Sequence, residues 1–446
     1  MDILIMAGQL MLSLSILVVL HELGHFIPAR LFGTRVEKFY LFFDPGFSLF
    51  KKKIGETEYG IGWLPLGGYV KISGMVDESF DTEQLAEEPK DYEFRSKPAW
   101  QRLIIMLGGV TVNFILGLVL FGLILWHYGE EYIPTEAVSY GISVDSLGYE
   151  MGLRPGDHIV SINGKTFDKF NNRVLIREIV INNARELQVR RGDDIVTIDI
   201  DPRFVQQLSS FQNKGVRLFD ARVPFVVGAV LKNYPAAAAG VQVGDSIVGL
   251  NGHEIRFFDQ FVDSLKGKPN TTITLNVIRN GQAMDISLTT NEDAKVGIQP
   301  YGPAYHFGTK REEYTFANAM PKGAALGWAT LTDQLKAFGQ MFRGNIKASD
   351  SLGGFASIGS MFGSEWVWER FWRMTAILSL ILAFMNLLPI PALDGGHVMF
   401  LLYEVVSGRK PSDKFMEYAT IVGFVIVIGL VLFANGLDIK RYLFGG

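Results

Sequence analysis

Four apolar stretches, split two and two by one long polar stretch, constrain this chain of 446 residues more than any other feature. A helix needs about 20 apolar residues to cross a bilayer. Residues 3–27, 103–126, 374–393 and 418–434 reach or approach that length, and only Asn113 interrupts the second with a strongly polar side chain. The residues between the second and third stretches have an ordinary soluble composition. The order implies a polytopic α-helical membrane protein with four transmembrane helices and one large insert. Residues 1–126 and 370–446 form the two halves of the membrane core.

Composition narrows the chemistry. The formal net charge is −4, so no electrostatic footprint for nucleic acid is expected. There are no cysteines, which excludes disulfides and thiolate metal sites. A metal here must be held by His, Asp or Glu. The first apolar stretch carries Asp2 and no Lys or Arg ahead of it, and no small-residue cleavage site follows. It reads as a membrane helix rather than a cleaved signal. Arg30, Arg35, Lys38, Lys51, Lys52, Lys53, Arg95, Lys97 and Arg102 place the first loop on the cytoplasmic side, with Arg409, Lys410 and Lys414. The insert is then extracytoplasmic, although Arg370, Arg373, Lys440 and Arg441 lie at the predicted outer ends.

The insert contains a duplication. Gly152, Gly156, Asp157, Ile159, Ile162, Asn163 and Gly164 recur 88 positions later as Gly240, Gly244, Asp245, Ile247, Leu250, Asn251 and Gly252. Each copy reads as a Gly-Asp turn, an alternating strand and an Asn-Gly hairpin. Upstream of the second copy, Pro235 opens a short alanine helix.

The motif with the sharpest chemistry is His21-Glu22-Leu23-Gly24-His25. On a helix, His residues at i and i+4 share a face and can reach one zinc ion, while the Glu beside them serves as general base. The motif continues a membrane helix, where ionisable side chains are expensive without partners. A catalytic zinc wants three protein ligands and an open position. No third ligand follows His25 closely, so it comes from far along the chain. Asp394 is the leading candidate: it ends an apolar segment in which Pro389 and Pro391 break the helix, and Gly395-Gly396 follow. His397 is a rival ligand, or a residue behind the ligands. A plain helix-end aspartate is the bland alternative for Asp394.

These features together resemble the site-2 protease family of intramembrane zinc metalloproteases, in its bacterial form, over essentially the whole chain. The residues carrying the resemblance are the His-Glu-x-x-His motif in the first helix, Leu393-Asp394-Gly395 in the third, and 94–102 leading into Gly108-Gly109-Val110 and Asn113. Gly108-Gly109-Val110 stands where the family commonly shows Ala-Gly-Pro. The duplicated segments resemble PDZ domains, spanning 133–218 and 219–305, with groove loops at 138–142 and 223–227.

The resemblance implies one zinc ion on His21, His25 and Asp394, with Glu22 as base. It implies single-pass membrane proteins of the anti-sigma-factor kind as substrates, and signal-peptide remnants. The PDZ pair would filter untrimmed substrates or bind peptide C-termini. The location would be the bacterial inner membrane, multi-pass, with the PDZ domains on the periplasmic side.

A helical substrate must also be unwound, and bare backbone in lipid costs several kcal/mol per group. Residues 57–74 read as a membrane-associated β-hairpin loop that supplies replacement partners. Gly67, Gly68, Tyr69, Asn113, Asn386, Pro389 and Pro391 are the candidates for substrate contact. Residues 315–345 read as an amphipathic helix on the outer membrane surface or on the PDZ domains, the former being favoured. The rivals to an enzyme are a membrane-anchored PDZ adaptor with a non-catalytic metal site, and a zinc transporter or sensor.

Overall fold

The computed structural model describes residues 2–65, 67–75, 88–210, 213 and 217–444. Leu66, in the expected β-loop, and 211–212 and 214–216, in the expected first PDZ domain, lie outside the described residues. The chain divides into two compact units: Met1–Gly129 with Glu313–Leu335 and Leu352–Gly446, and Glu130–Glu312 with Lys336–Ser351.

In the first unit, the four apolar stretches are helices at Asp2–Leu31, Ala99–Tyr128, Trp368–Leu387 and Asp413–Phe444. All four are long and apolar enough to cross a membrane. The first, second and fourth extend beyond their apolar stretches at both ends, whereas the third begins earlier, at Trp368, and stops short at Leu387, ahead of Pro389. In lipid, helix association rests on close packing and on polar contacts rather than on the hydrophobic effect. Both are present. Gly24 and Gly108 bring the first two helices into backbone contact: a Cβ built on Gly24 would stand 2.5 Å from Gly108 O. Ser13 Oγ meets Thr375 Oγ1 at 2.9 Å, and Ser379 Oγ donates to Asn113 O at 2.6 Å. Asn113, Ser13, Thr375 and Ser379 are all buried.

The expected hairpin at 57–74 is not one. Strands β1 (Val36–Leu41), β2 (Phe50–Ile54), β3 (Thr57–Ile61) and β4 (Tyr69–Ile72) form a sheet in the order β2-β3-β1-β4. β3 and β4 flank β1, parallel and antiparallel to it, instead of pairing with each other. The tight hairpin is β2–β3, closed at Gly55, whose φ is +64°. Local glycine content marks a loop but does not reveal that a strand from upstream slots between its two halves.

The helix at Phe316–Phe342 has a close neighbour over its first part. That part runs antiparallel along the second membrane helix. The Phe316 ring meets Trp126 at 5.6 Å and Trp328 meets Phe114 at 6.3 Å. Between them, Gly323 lies so close to Gly122 that no Cβ would fit. Small residues permit this approach.

The second unit repeats one local design. Asn163 and Gly164, and Asn251 and Gly252, have positive φ and close two-residue hairpin turns, the backbone that Asn-Gly favours. Asp157 accepts from Arg154 N and from the Arg191 guanidinium, which also reaches Gly152 O. Asp245 accepts from Gln242 N and Arg279, which reaches Gly240 O. Every residue in the second network lies 88 positions after its counterpart. Burial pushes the Asp245 carboxyl up, but Arg279 and the Gln242 amide more than offset this and hold it below its ordinary range. Two separate apolar cores surround these networks, one containing Ile162, Leu175 and Leu187 and the other Phe225, Phe261 and Leu275.

Candidate metal centre

The helix Asp2–Leu31 carries His21 and His25 one turn apart on one face. The third membrane helix stops at Leu387, a non-helical turn follows, and a new helix begins at Asp394 and runs to Ser407. Proline cannot continue a helix, so Pro389 and Pro391 hold the chain open there. Gly395 and Gly396 pack against the carbonyls of Leu387 and Ile390 with no room for a side chain. Gly423 of the fourth helix closes on Pro391 O in the same way. Asp394 is thereby fixed at a helix N-terminus, where the backbone favours a carboxylate.

The three expected ligands converge. His21 Nε2 and His25 Nε2 are 3.2 Å apart. Asp394 Oδ2 lies 3.2 Å from the first and 3.4 Å from the second. Among the described residues, His21, His25 and Asp394 are the group able to hold a metal, and His397 is outside it. His25 Nδ1 stands 2.8 Å from Ile105 O. A carbonyl only accepts, so Nδ1 carries the proton and Nε2 presents a lone pair. Asp394 Oδ2 is buried with no hydrogen-bond partner.

Three lone-pair donors facing one another this closely repel unless a cation lies between them. Ligand atoms about 2.0–2.1 Å from a tetrahedral zinc stand about 3.3 Å from each other, which matches the observed triangle. The residues therefore fit zinc.

The second membrane helix forms one wall of this site. A Cβ on Gly109 would overlap both imidazoles. Asn113 Nδ2 lies 3.4 Å from His21 Nδ1, and its Oδ1 is buried without a partner. A half-turn of the amide would set Oδ1 against a protonated Nδ1, leaving His21 Nε2 free for a metal. Sequence reasoning grouped Asn113 with substrate contacts; the structure sets it beside His21. Asn386 Nδ2 reaches His21 Nε2 at 3.3 Å, on the side where the ligand atoms converge.

Glu22 is buried, and Gly68 sits over it: a Cβ there would come 3.2 Å from Glu22 Cγ and 2.6 Å from Val18 Cγ1. Gly67 precedes it with φ +142°. Tyr69 opens β4, but its ring stacks between Tyr40 and Phe43 at 5.2 and 5.8 Å. Its hydroxyl donates to Asp44 Oδ1 at 2.9 Å. Among the described residues β4 pairs only with β1, so its other edge runs on from Gly68 without a partner strand.

The family model for peptidase family M50 matches residues 9–430. A Neisseria meningitidis protein that carries the name of a zinc metalloprotease is 29% identical over 97% of this chain and 98% of its own. The regulator of sigma E protease of Haemophilus influenzae is 27% identical, over 97% and 98% of the two chains. The corresponding Escherichia coli K12 protease is 28% identical, over 96% and 97%.

Proposed function

The chain belongs to peptidase family M50, and from that membership we propose that His21, His25 and Asp394 hold one catalytic zinc for cleavage of peptide bonds within the membrane, with Glu22 as general base. It is a zinc metalloprotease of the site-2 type in a multi-pass membrane protein. The observation that carries the residue assignment is the triangle of 3.2, 3.2 and 3.4 Å among three ligand atoms, one of them a buried carboxylate oxygen with no other partner.

Zinc bound there supplies Lewis-acid polarisation and activates water near neutral pH. Glu22 takes the proton from the attacking water and returns it to the leaving amine. Its burial beside Gly68 keeps bulk water from competing. Asn386 Nδ2 donates to the substrate carbonyl oxygen as negative charge develops on it. Asn113 and Ile105 O orient the two imidazoles from behind. Pro389 and Pro391 keep the turn before Asp394 open on the substrate side. Gly67 and Gly68 let an unwound substrate segment approach closely, and the open edge of β4 replaces its lost hydrogen bonds. Tyr69 stiffens that edge through its stacked ring.

The relatives named for regulating sigma E support substrates of the anti-sigma-factor kind, single-pass and embedded in the inner membrane. Signal-peptide remnants present the same chemistry, a lone apolar helix with little outside the bilayer. The insert at 133–218 and 219–305 acts as an extracytoplasmic PDZ pair that admits trimmed substrates. Its duplicated Asp–Arg networks support two copies of one domain design. Reconstitution in liposomes with a single-pass substrate, intact or trimmed outside, tests it. The expected result is cleavage of the trimmed form alone, mapped by mass spectrometry to the membrane segment. Equal cleavage of both forms, or a cut outside the membrane, would contradict it.

A further inference from the structure

The two halves of the insert share much of one hydrogen-bonding path, and one of the places where they part lies just ahead of Gly141. In the second half, Phe225 N–H donates to Arg256 O, Phe258 N–H to Val223 O, and Ile247 N–H to Phe225 O. In the first half, Thr135 N–H donates to Asp168 O and Phe170 N–H to Ile133 O, so Thr135 stands where Phe225 stands. The paths rejoin at Gly141 and Val226, whose carbonyls accept from Arg222 and Tyr301. Residues 136–140 intervene between Thr135 and Gly141, whereas Phe225 and Val226 are adjacent. Gly141 turns that detour with φ +66°.

The detour leaves two things undone. The bond from Ile247 N–H to Phe225 O has no counterpart from Ile159 N–H to Thr135 O among the described residues. The ring is missing as well. Phe225 is 1% exposed and packs on Phe258 and Phe261 at 5.1 and 4.7 Å. The matching place in the first half is a cavity of about 460 Å³ lined by Thr135, Val138, Ile142, Ile159 and Phe170. Thr135 Oγ1 is buried there with no hydrogen-bond partner. Tyr140, the large side chain of the detour, is directed away: its ring lies 5.4 Å from Phe257 and 6.0 Å from Phe307.

We propose that this slot binds an extended internal peptide segment bearing an aromatic side chain. The ring takes the volume that Phe225 fills in the second half. A backbone carbonyl of the peptide accepts from Ile159 N–H. The occupant is inferred from what fills the equivalent place in the same chain. The site is independent of the metal centre, so it stands or falls apart from the proteolytic assignment.

The test uses the full chain in detergent and a fluorescent hexapeptide of Ser and Thr with one central Phe and both termini blocked. Fluorescence anisotropy is expected to show binding, weakened at least about tenfold when Ala replaces Phe. Thr135→Phe, which supplies the ring from within, should abolish the preference for Phe. A photoreactive phenylalanine analogue at the central position should cross-link wild-type protein near Thr135 and Phe170, a readout that does not depend on the variant folding. Equal binding of the Phe and Ala peptides, or cross-links confined to 172–180, would overturn the proposal. So would cross-links confined to Tyr140.

Discussion

Gly109 leaves its Cβ position empty directly against the rings of His21 and His25, so the second membrane helix sets how close the ligands stand. Gly109→Ala is expected to displace both imidazoles. Zinc retention should fall by about 10²-fold, the scale at which displaced ligand support is felt, while the protein still inserts as four helices. Zinc content after dialysis against a graded chelator series measures this. Wild-type retention in the variant would show that the helix contact does not shape the site.

Asn113 offers a finer probe of the same wall. Asn113→Leu keeps the volume and removes the acceptor for His21 Nδ1–H, so zinc affinity should drop about 10- to 100-fold. Asn113→Asp keeps an acceptor and should retain most of the metal. If Asn113→Leu binds zinc normally and fails only in cleavage, Asn113 is a substrate contact instead.

Glu22→Gln keeps the shape of a buried side chain and removes the base. Turnover of a trimmed single-pass substrate should fall by about 10²–10⁴-fold. Zinc content should be unchanged, because Glu22 lies outside the triangle of ligand atoms. Cleavage at the wild-type rate would remove Glu22 from the chemistry.

The Asp245–Arg279 pair predicts an acid sensitivity in the second half of the insert. Asp245 is held below its ordinary value of 3.8 in the folded protein. The stabilisation is therefore fully present above that pH and is lost as pH falls through the folded-state value. Calorimetry of the full chain should show the insert's transition dropping below about pH 4. Asp245→Asn should flatten that dependence, and a variant as acid-sensitive as the wild type would assign the effect elsewhere.

Much of the site was legible in the sequence because its signals are local or costly. His21, Glu22 and His25 lie within one helical turn and a half, and Asp394 is an isolated carboxylate beside two prolines in apolar surroundings. Asn386 was legible for the same reason, as a polar group at membrane depth. What escaped depends on contacts between distant segments. The meeting of Gly24 with Gly108 cannot be read from either helix alone. β1 intrudes between β3 and β4 because of long-range register, which the Gly-rich stretch does not encode. Arg191 and Arg279 carried a usable signal, since they share the 88-residue offset, but they lie beyond the motif in which the duplication is obvious. The missing counterpart of Phe225 lies in the backbone hydrogen-bond path, which residue types do not encode.

The most direct test of the central claim is metal analysis of purified wild-type protein beside Asp394→Ala. The account predicts one tightly held zinc per wild-type chain, lost from the variant together with proteolysis. A variant that keeps its zinc and cleaves substrate at the wild-type rate would contradict it.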